Sequence, residues 1–167
     1  MTASKVVLGV DPGLANCGYG IVSVDAKGKL SASVWGVIKT AAEMPKVERL
    51  DLIYNQLETV ARDAGATSLA LEQLFAVNNM KSVYGVGEVC GIATLLAAKL
   101  GLDFAEYTPL QIKLSIACYG RADKQQVQRM VKMVLGLKEI PASDHAADAL
   151  AAAVCHSNSS KINRLLR

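Results

Sequence analysis

The sequence predicts a single α/β domain built on a five-stranded mixed sheet flanked by helices. Three observations predict it. Three apolar, β-branched runs come first and are joined by short turns. Short apolar strands then alternate with stretches in which apolar residues recur every three or four positions. The resulting order, βββαβαβααα, gives an antiparallel meander followed by strands that helical crossovers return in parallel. A chain of 167 residues, 51% apolar and 20% charged, fits one domain with its own core.

The first strand is Lys5–Asp11, closed by Pro12-Gly13. The second is Cys17–Val24 and the third Leu30–Ile38, with Lys27-Gly28-Lys29 as the hairpin turn between them. Pro45–Ala64 switches to helical period through Val47, Leu50, Ile53, Tyr54, Leu57 and Val60, and Gly65 stops it. Thr67–Glu72 is an apolar strand suited to lie parallel beside the first. Asn78 or Asn79 caps a helix reaching Leu100, with Gly101 as its stop. Gly85, Gly87 and Gly91 each weaken that helix by about 1 kcal/mol relative to Ala, which points to a close backbone approach. Leu102–Tyr107 is the fifth strand. Thr108-Pro109 opens the next helix, Asp123 caps a basic one ending near Gly136, and an Ala-rich helix runs from Asp144 to about His156. Residues 1–156 thus form one domain, and 157–167 read as a loose polar tail.

No apolar run approaches 18 residues, so no membrane span is expected, and Val6–Val10 is too short for a signal-peptide core. The four cysteines are scattered without a C-x-x-C pair, which argues for buried thiols in a reducing cytoplasm. Net charge is only +3, but six basic residues and one acid lie between Thr108 and Lys138. That distribution suits a polyanion, or equally a set of solvated helix faces.

Asp11 ends the first strand and Glu72 the fourth, so parallel pairing of the two would bring their carboxylates side by side. Each alone could be a turn residue; together they need a raised pKa or a cation between them. Asp148 lies in a bed of small alanines, an odd place for an unpartnered carboxylate, with His145 one turn before it on the same face. Asp144 is best read as a helix cap. Oxygen-rich ligands without thiolates select Mg²⁺ or Mn²⁺ over zinc, and carboxylates converging from two strands and a helix are the parts of a two-metal phosphodiester-cleaving site.

These blocks, VLGVDPGLANCGYGIV (7–22), LALEQLF (69–75), EYTPLQIK (106–113), YGRADKQQVQRMV (119–131) and DHAADALAAAVCH (144–156), taken in order, resemble the RNase H-like nuclease superfamily and within it the RuvC-type Holliday junction resolvases. The resemblance covers Lys5 to His156. It implies a structure-selective endodeoxyribonuclease that nicks four-way DNA junctions in strands of like polarity. It implies Asp11, Glu72, His145 and Asp148 as catalytic metal ligands for two Mg²⁺ ions, with Mn²⁺ as substitute. His at position 145, where the family carries Asp or His, lowers the charge of the site by one. Phe75 matches an aromatic inserted at the crossover, where stacking on an unpaired base is worth roughly 1–3 kcal/mol. Asn78, Asn79 and Lys81 would line the same loop. Lys113 and Lys124 match basic residues near the scissile phosphate, and Arg121 and Arg129 are expected as backbone contacts. A homodimer built partly on the glycine-bearing helix and a branch-migration helicase complex are the implied partners. The rival readings are an RNase H-like enzyme acting on RNA or hybrid duplex, an actin-like ATP-binding domain, and a junction-binding protein without catalysis.

Overall fold

The structure, a computed structural model, describes residues 5–73, 80–117 and 120–165. Strands β1 (Lys5–Asp11), β2 (Asn16–Val24), β3 (Leu30–Lys39), β4 (Ser68–Glu72) and β5 (Asp103–Tyr107) form one sheet in the order β3-β2-β1-β4-β5. The first three are antiparallel, and β4 and β5 extend the sheet in parallel from β1, as the sequence predicts. Asp25 builds the β2–β3 turn: its Oδ1 accepts from the amides of Lys27 and Lys29 at 2.9 and 2.8 Å, while Gly28 takes a φ of 80°.

Helices α1 (Lys46–Asp63) and α2 (Met80–Leu100) cover one face. Ile53, Leu57 and Ala61 of α1, one turn apart, pack with Val89, Ala93 and Leu96 of α2 against Leu8, Val10, Leu69 and Leu71. Helices α3 (Pro109–Ala117), α4 (Lys124–Leu135) and α5 (Asp144–Leu165) cover the other, where Ile112, Val127, Val131 and Leu150 meet Val7, Val22 and Ala70. Because β1 and β4 are buried on both faces, they read as continuous apolar runs rather than alternating ones. Asp123 caps α4 in a capping box with Gln126.

Two features differ from expectation. Among the described residues, one helical window, Val83–Leu100, has a mean hydropathy of 1.4, long and apolar enough to cross a membrane by composition. One stripe of it, Val89, Ala93, Leu96 and Ala97, is buried on the sheet, while Tyr84 and Leu95 of the same window are exposed. The second difference is the C-terminus. Residues 157–165, expected as a loose tail, continue α5. The first polar side chains of this stretch bond inward: Ser157 Oγ and Ser159 Oγ each donate to the carbonyl four residues back, at 2.9 Å. Asn158 Nδ2 reaches Ser115 Oγ of α3 at 3.3 Å.

The seat of α5 on the sheet decides where the site forms. A Cβ at Gly9 of β1 would run into the backbone carbonyl of Ala149, and one at Gly18 of β2 into that of His145. Ala146, Ala147, Ala149 and Ala151 to Ala153 are all buried on the helix side. Glycine facing alanine lets the first turns of α5 lie almost directly on the strand backbones.

Candidate active site

Each acidic residue reaches the site for a local reason. Val10 of β1 pairs with Leu71 of β4, so the next residues, Asp11 and Glu72, leave the sheet as neighbours. Asp148, on the second turn of α5, is held over them by the glycine-alanine seam. One carboxylate oxygen from each of Asp11, Glu72 and Asp148 lies within 4.8 Å of the other two. His145 joins through Asp11, whose Oδ2 lies 2.7 Å from His145 Nδ1. It is not a fourth member of the carboxylate set: it sits one turn earlier on α5 and reaches Asp11 from the side.

Three carboxylates this close oppose one another's ionisation. Burial, then the charges of Asp11 and Asp148, push Glu72 up to about 8. Burial also raises Asp11, with the Asp148 charge adding to it against the lowering bond from His145. Asp148 is raised by burial, and Lys124 works against that shift. Lys124 Nζ lies 3.2 Å from Asp148 Oδ2 and 3.2 Å from Asp144 Oδ2. Gln128 Nε2 donates to Asp144 Oδ1 at 2.7 Å, and these two bonds draw Asp144 below the ordinary carboxylate range. Asp144 is therefore not the helix cap expected of it. The carbonyl of Ser143 accepts the first helical bond, from Ala147 at 3.1 Å, and the Asp144 side chain turns toward α4. Sequence reasoning missed Gln128, although its position one turn after Lys124 places it on the same face.

The residues fit a divalent cation. The donors are carboxylate oxygens with an imidazole beside them, and among the described residues Lys124 is the only lysine or arginine ion-paired with the triad. A pH dependence follows. Between 4.5 and about 8, folded Glu72 binds more protons than the unfolded chain does. Its contribution to stability therefore falls as pH rises through that window. Metal-free wild type is expected to lose melting temperature relative to Glu72→Gln from pH 5 to pH 8. Added Mg²⁺ should restore more at pH 8 than at pH 6, because metal ligands must be deprotonated. A wild-type curve parallel to that of the variant would contradict the burial of the Glu72 charge.

A cavity of about 180 Å³ opens beside the carboxylates, lined by Glu72, Asp148, Lys113, Lys124, Ile112 and Val127 among others. It thus has an acidic side and a basic side. Arg121 and Arg129 do not line it: both are exposed, and Arg129 Nη2 donates to Gln125 at 3.2 Å. Lys81 lies in the first turn of α2. Phe75, Asn78 and Asn79 lie outside the described residues.

Carboxylates at the ends of two neighbouring central strands, joined by one from a helix laid across them, define a nuclease of the RNase H-like class that works with divalent metal. The crossover junction endodeoxyribonuclease RuvC family model matches residues 7–156, and the chain belongs to that family. It is 45% identical over 161 residues to the crossover junction endodeoxyribonuclease RuvC of Ruminiclostridium cellulolyticum, covering 96% of each chain. The Thermus thermophilus RuvC structure superposes with a TM-score of 0.89 at 34% identity, covering 95% of this chain and 97% of that one. The T. thermophilus protein in complex with Holliday junction substrate gives 0.91 at 33% identity, covering 95% and 96%.

Proposed function

We propose that this chain resolves four-way DNA junctions, cutting one strand on each side of the crossover to leave 5′-phosphate and 3′-hydroxyl ends. The observation that carries the reading is the carboxylate triad beside a cavity walled by Lys113 and Lys124. Asp11, Glu72 and Asp148 would hold two Mg²⁺ ions together with His145, and Mn²⁺ is expected to substitute. Divalent ions held there supply a hydroxide-strength nucleophile at neutral pH and neutralise charge on the phosphate. The protein's own contribution is positional and electrostatic. His145 fixes the Asp11 carboxylate through its 2.7 Å bond. Lys124, anchored between Asp144 and Asp148, faces the cavity and opposes negative charge building on phosphate oxygens.

A homodimer supplies two such sites to a substrate of approximate two-fold symmetry. Support comes from α2, where Tyr84, Gly87, Gly91 and Leu95 form an exposed stripe and a Cβ at Gly87 or Gly91 would meet nothing within 4 Å. Phe75, with Asn78, Asn79 and Lys81, would engage the crossover, and Arg121 and Arg129 would meet the arms. A branch-migration helicase complex is the expected partner, and cysteines scattered without a disulfide pattern support work in the reducing cytoplasm.

The test is a synthetic four-way junction against linear duplex and RNA–DNA hybrid, with and without Mg²⁺. Metal-dependent, symmetric and ligatable nicks in the junction alone are expected. Preferential cutting of hybrid would replace this reading with a ribonuclease. Tight junction binding without nicks in either metal would leave a recognition protein.

A further inference from the structure

A second cavity, of about 370 Å³, meets the carboxylate cluster through His145 and, among the described residues, shares no lining residue with the first. Its floor is the β1–β2 turn from Gly13 to Asn16, and Arg49 of α1 and Gly85 of α2 stand on its walls. The turn is tight: a Cβ at Gly13 would collide with the carbonyl of Asn16, and Leu14 fills the space beside Gly85. Arg49 Nε donates to Thr40 Oγ1 at 2.7 Å, and that hydroxyl donates to the Leu14 carbonyl at 2.6 Å. The guanidinium is thus held by one edge to the same turn that follows Asp11. Among the described residues no carboxylate lines the cavity and Arg49 makes no ion pair. Lys46, one turn earlier, is by contrast paired with Glu88 at 3.0 Å.

A half-buried arginine fixed through Nε, lining one cavity with an imidazole and, among the described residues, with no partner on its Nη edge and no acid on the walls, is built for an anion. We propose that this cavity is a second phosphate subsite, in which Arg49 grips a DNA backbone phosphate near the one at the carboxylates. The cleaved strand would then be held on both flanks of the site, by Lys113 and Lys124 on one and Arg49 on the other. Arg49 sets the register of the strand and does not touch the reacting atoms, so it is a positioning residue. The inference rests on the junction-cleaving reading and names a contact of that same strand.

The experiment measures junction affinity without divalent metal, using wild type, Arg49→Ala and Arg49→Lys. Substrates carry a single neutral methylphosphonate at each of the few linkages on either side of the cut. Arg49→Ala is expected to bind about tenfold more weakly, with a log–log salt slope shallower by about one. Wild type should lose a similar factor at one particular linkage, and at that linkage Arg49→Ala should lose nothing further. Arg49→Lys, with charge but no fork, should fall between them. The comparison of substrates on one protein keeps the answer independent of any change in folding. Wild-type affinity in Arg49→Ala, or a loss equal at every neutralised linkage, would overturn the subsite while leaving junction cleavage standing. A wild type that neither binds nor cuts junctions would instead overturn the parent reading, and the subsite with it.

Discussion

Asp11→Asn is expected to slow junction cleavage by about a thousandfold or more while leaving junction binding within a few fold of wild type. Asn keeps the shape of the side chain and can still accept from His145 Nδ1 through its amide oxygen. What disappears is one negative charge among three carboxylates whose oxygens lie within 4.8 Å of one another. The basic side chains that line the adjoining cavity, Lys113 and Lys124, are untouched. Removing the charge has a second readout. Asp11 is one of the two carboxylates that raise Glu72, so in the metal-free variant Glu72 should titrate at lower pH than in wild type, as followed by carboxyl NMR. Loss of cleavage with an unshifted Glu72 would separate the two carboxylates. A loss below about tenfold would remove Asp11 from the catalytic set.

Gly18→Ala is expected to rank with Gly9→Ala among the most damaging single methyl additions at the described glycines. The added Cβ falls on the backbone carbonyl of His145, which has no rotamer to swing away. The first turn of α5 must lift or β2 must bend, at a cost of about 3 kcal/mol. Either movement draws His145 from Asp11 and Asp148 from Glu72. Urea unfolding should show the lost stability, and cleavage should fall further than stability alone explains under conditions where the variant remains folded. A variant with wild-type stability and activity would show that α5 does not depend on this close approach.

Much of the fold and part of the site were legible because they depend on short-range patterns. Apolar runs ending in Asp11 and Glu72, with a helical crossover between them, bring two carboxylates together through pairing rules alone. The Asp123 cap was readable from residues three apart. What was not legible depends on distances between segments far apart in the chain. Asp144 resembles a cap in sequence, and only the packing of α4 beside α5 gives it Lys124 and Gln128 instead. Residues 157–165 have the composition of a tail, and the sequence does not show that their hydroxyls fold back onto the helix. Gly9 and Gly18 look like ordinary strand glycines until a helix is laid on them. Arg49 carries no motif; its meaning comes from Thr40 and the β1–β2 turn.

The seam beneath α5 has a thermal consequence. At Gly9 and Gly18 the backbone of α5 lies directly on the strands, among buried alanines, and Gly and Ala have no side-chain rotamer freedom to lose on folding or regain on warming. The helix-borne Asp148 is thus tied to the strand-borne Asp11 without flexible side chains as spacers. On heating, the active site has little room to loosen ahead of the domain. Loss of the His145–Asp11 contact, followed by the imidazole NMR signal, should coincide with the global melting transition.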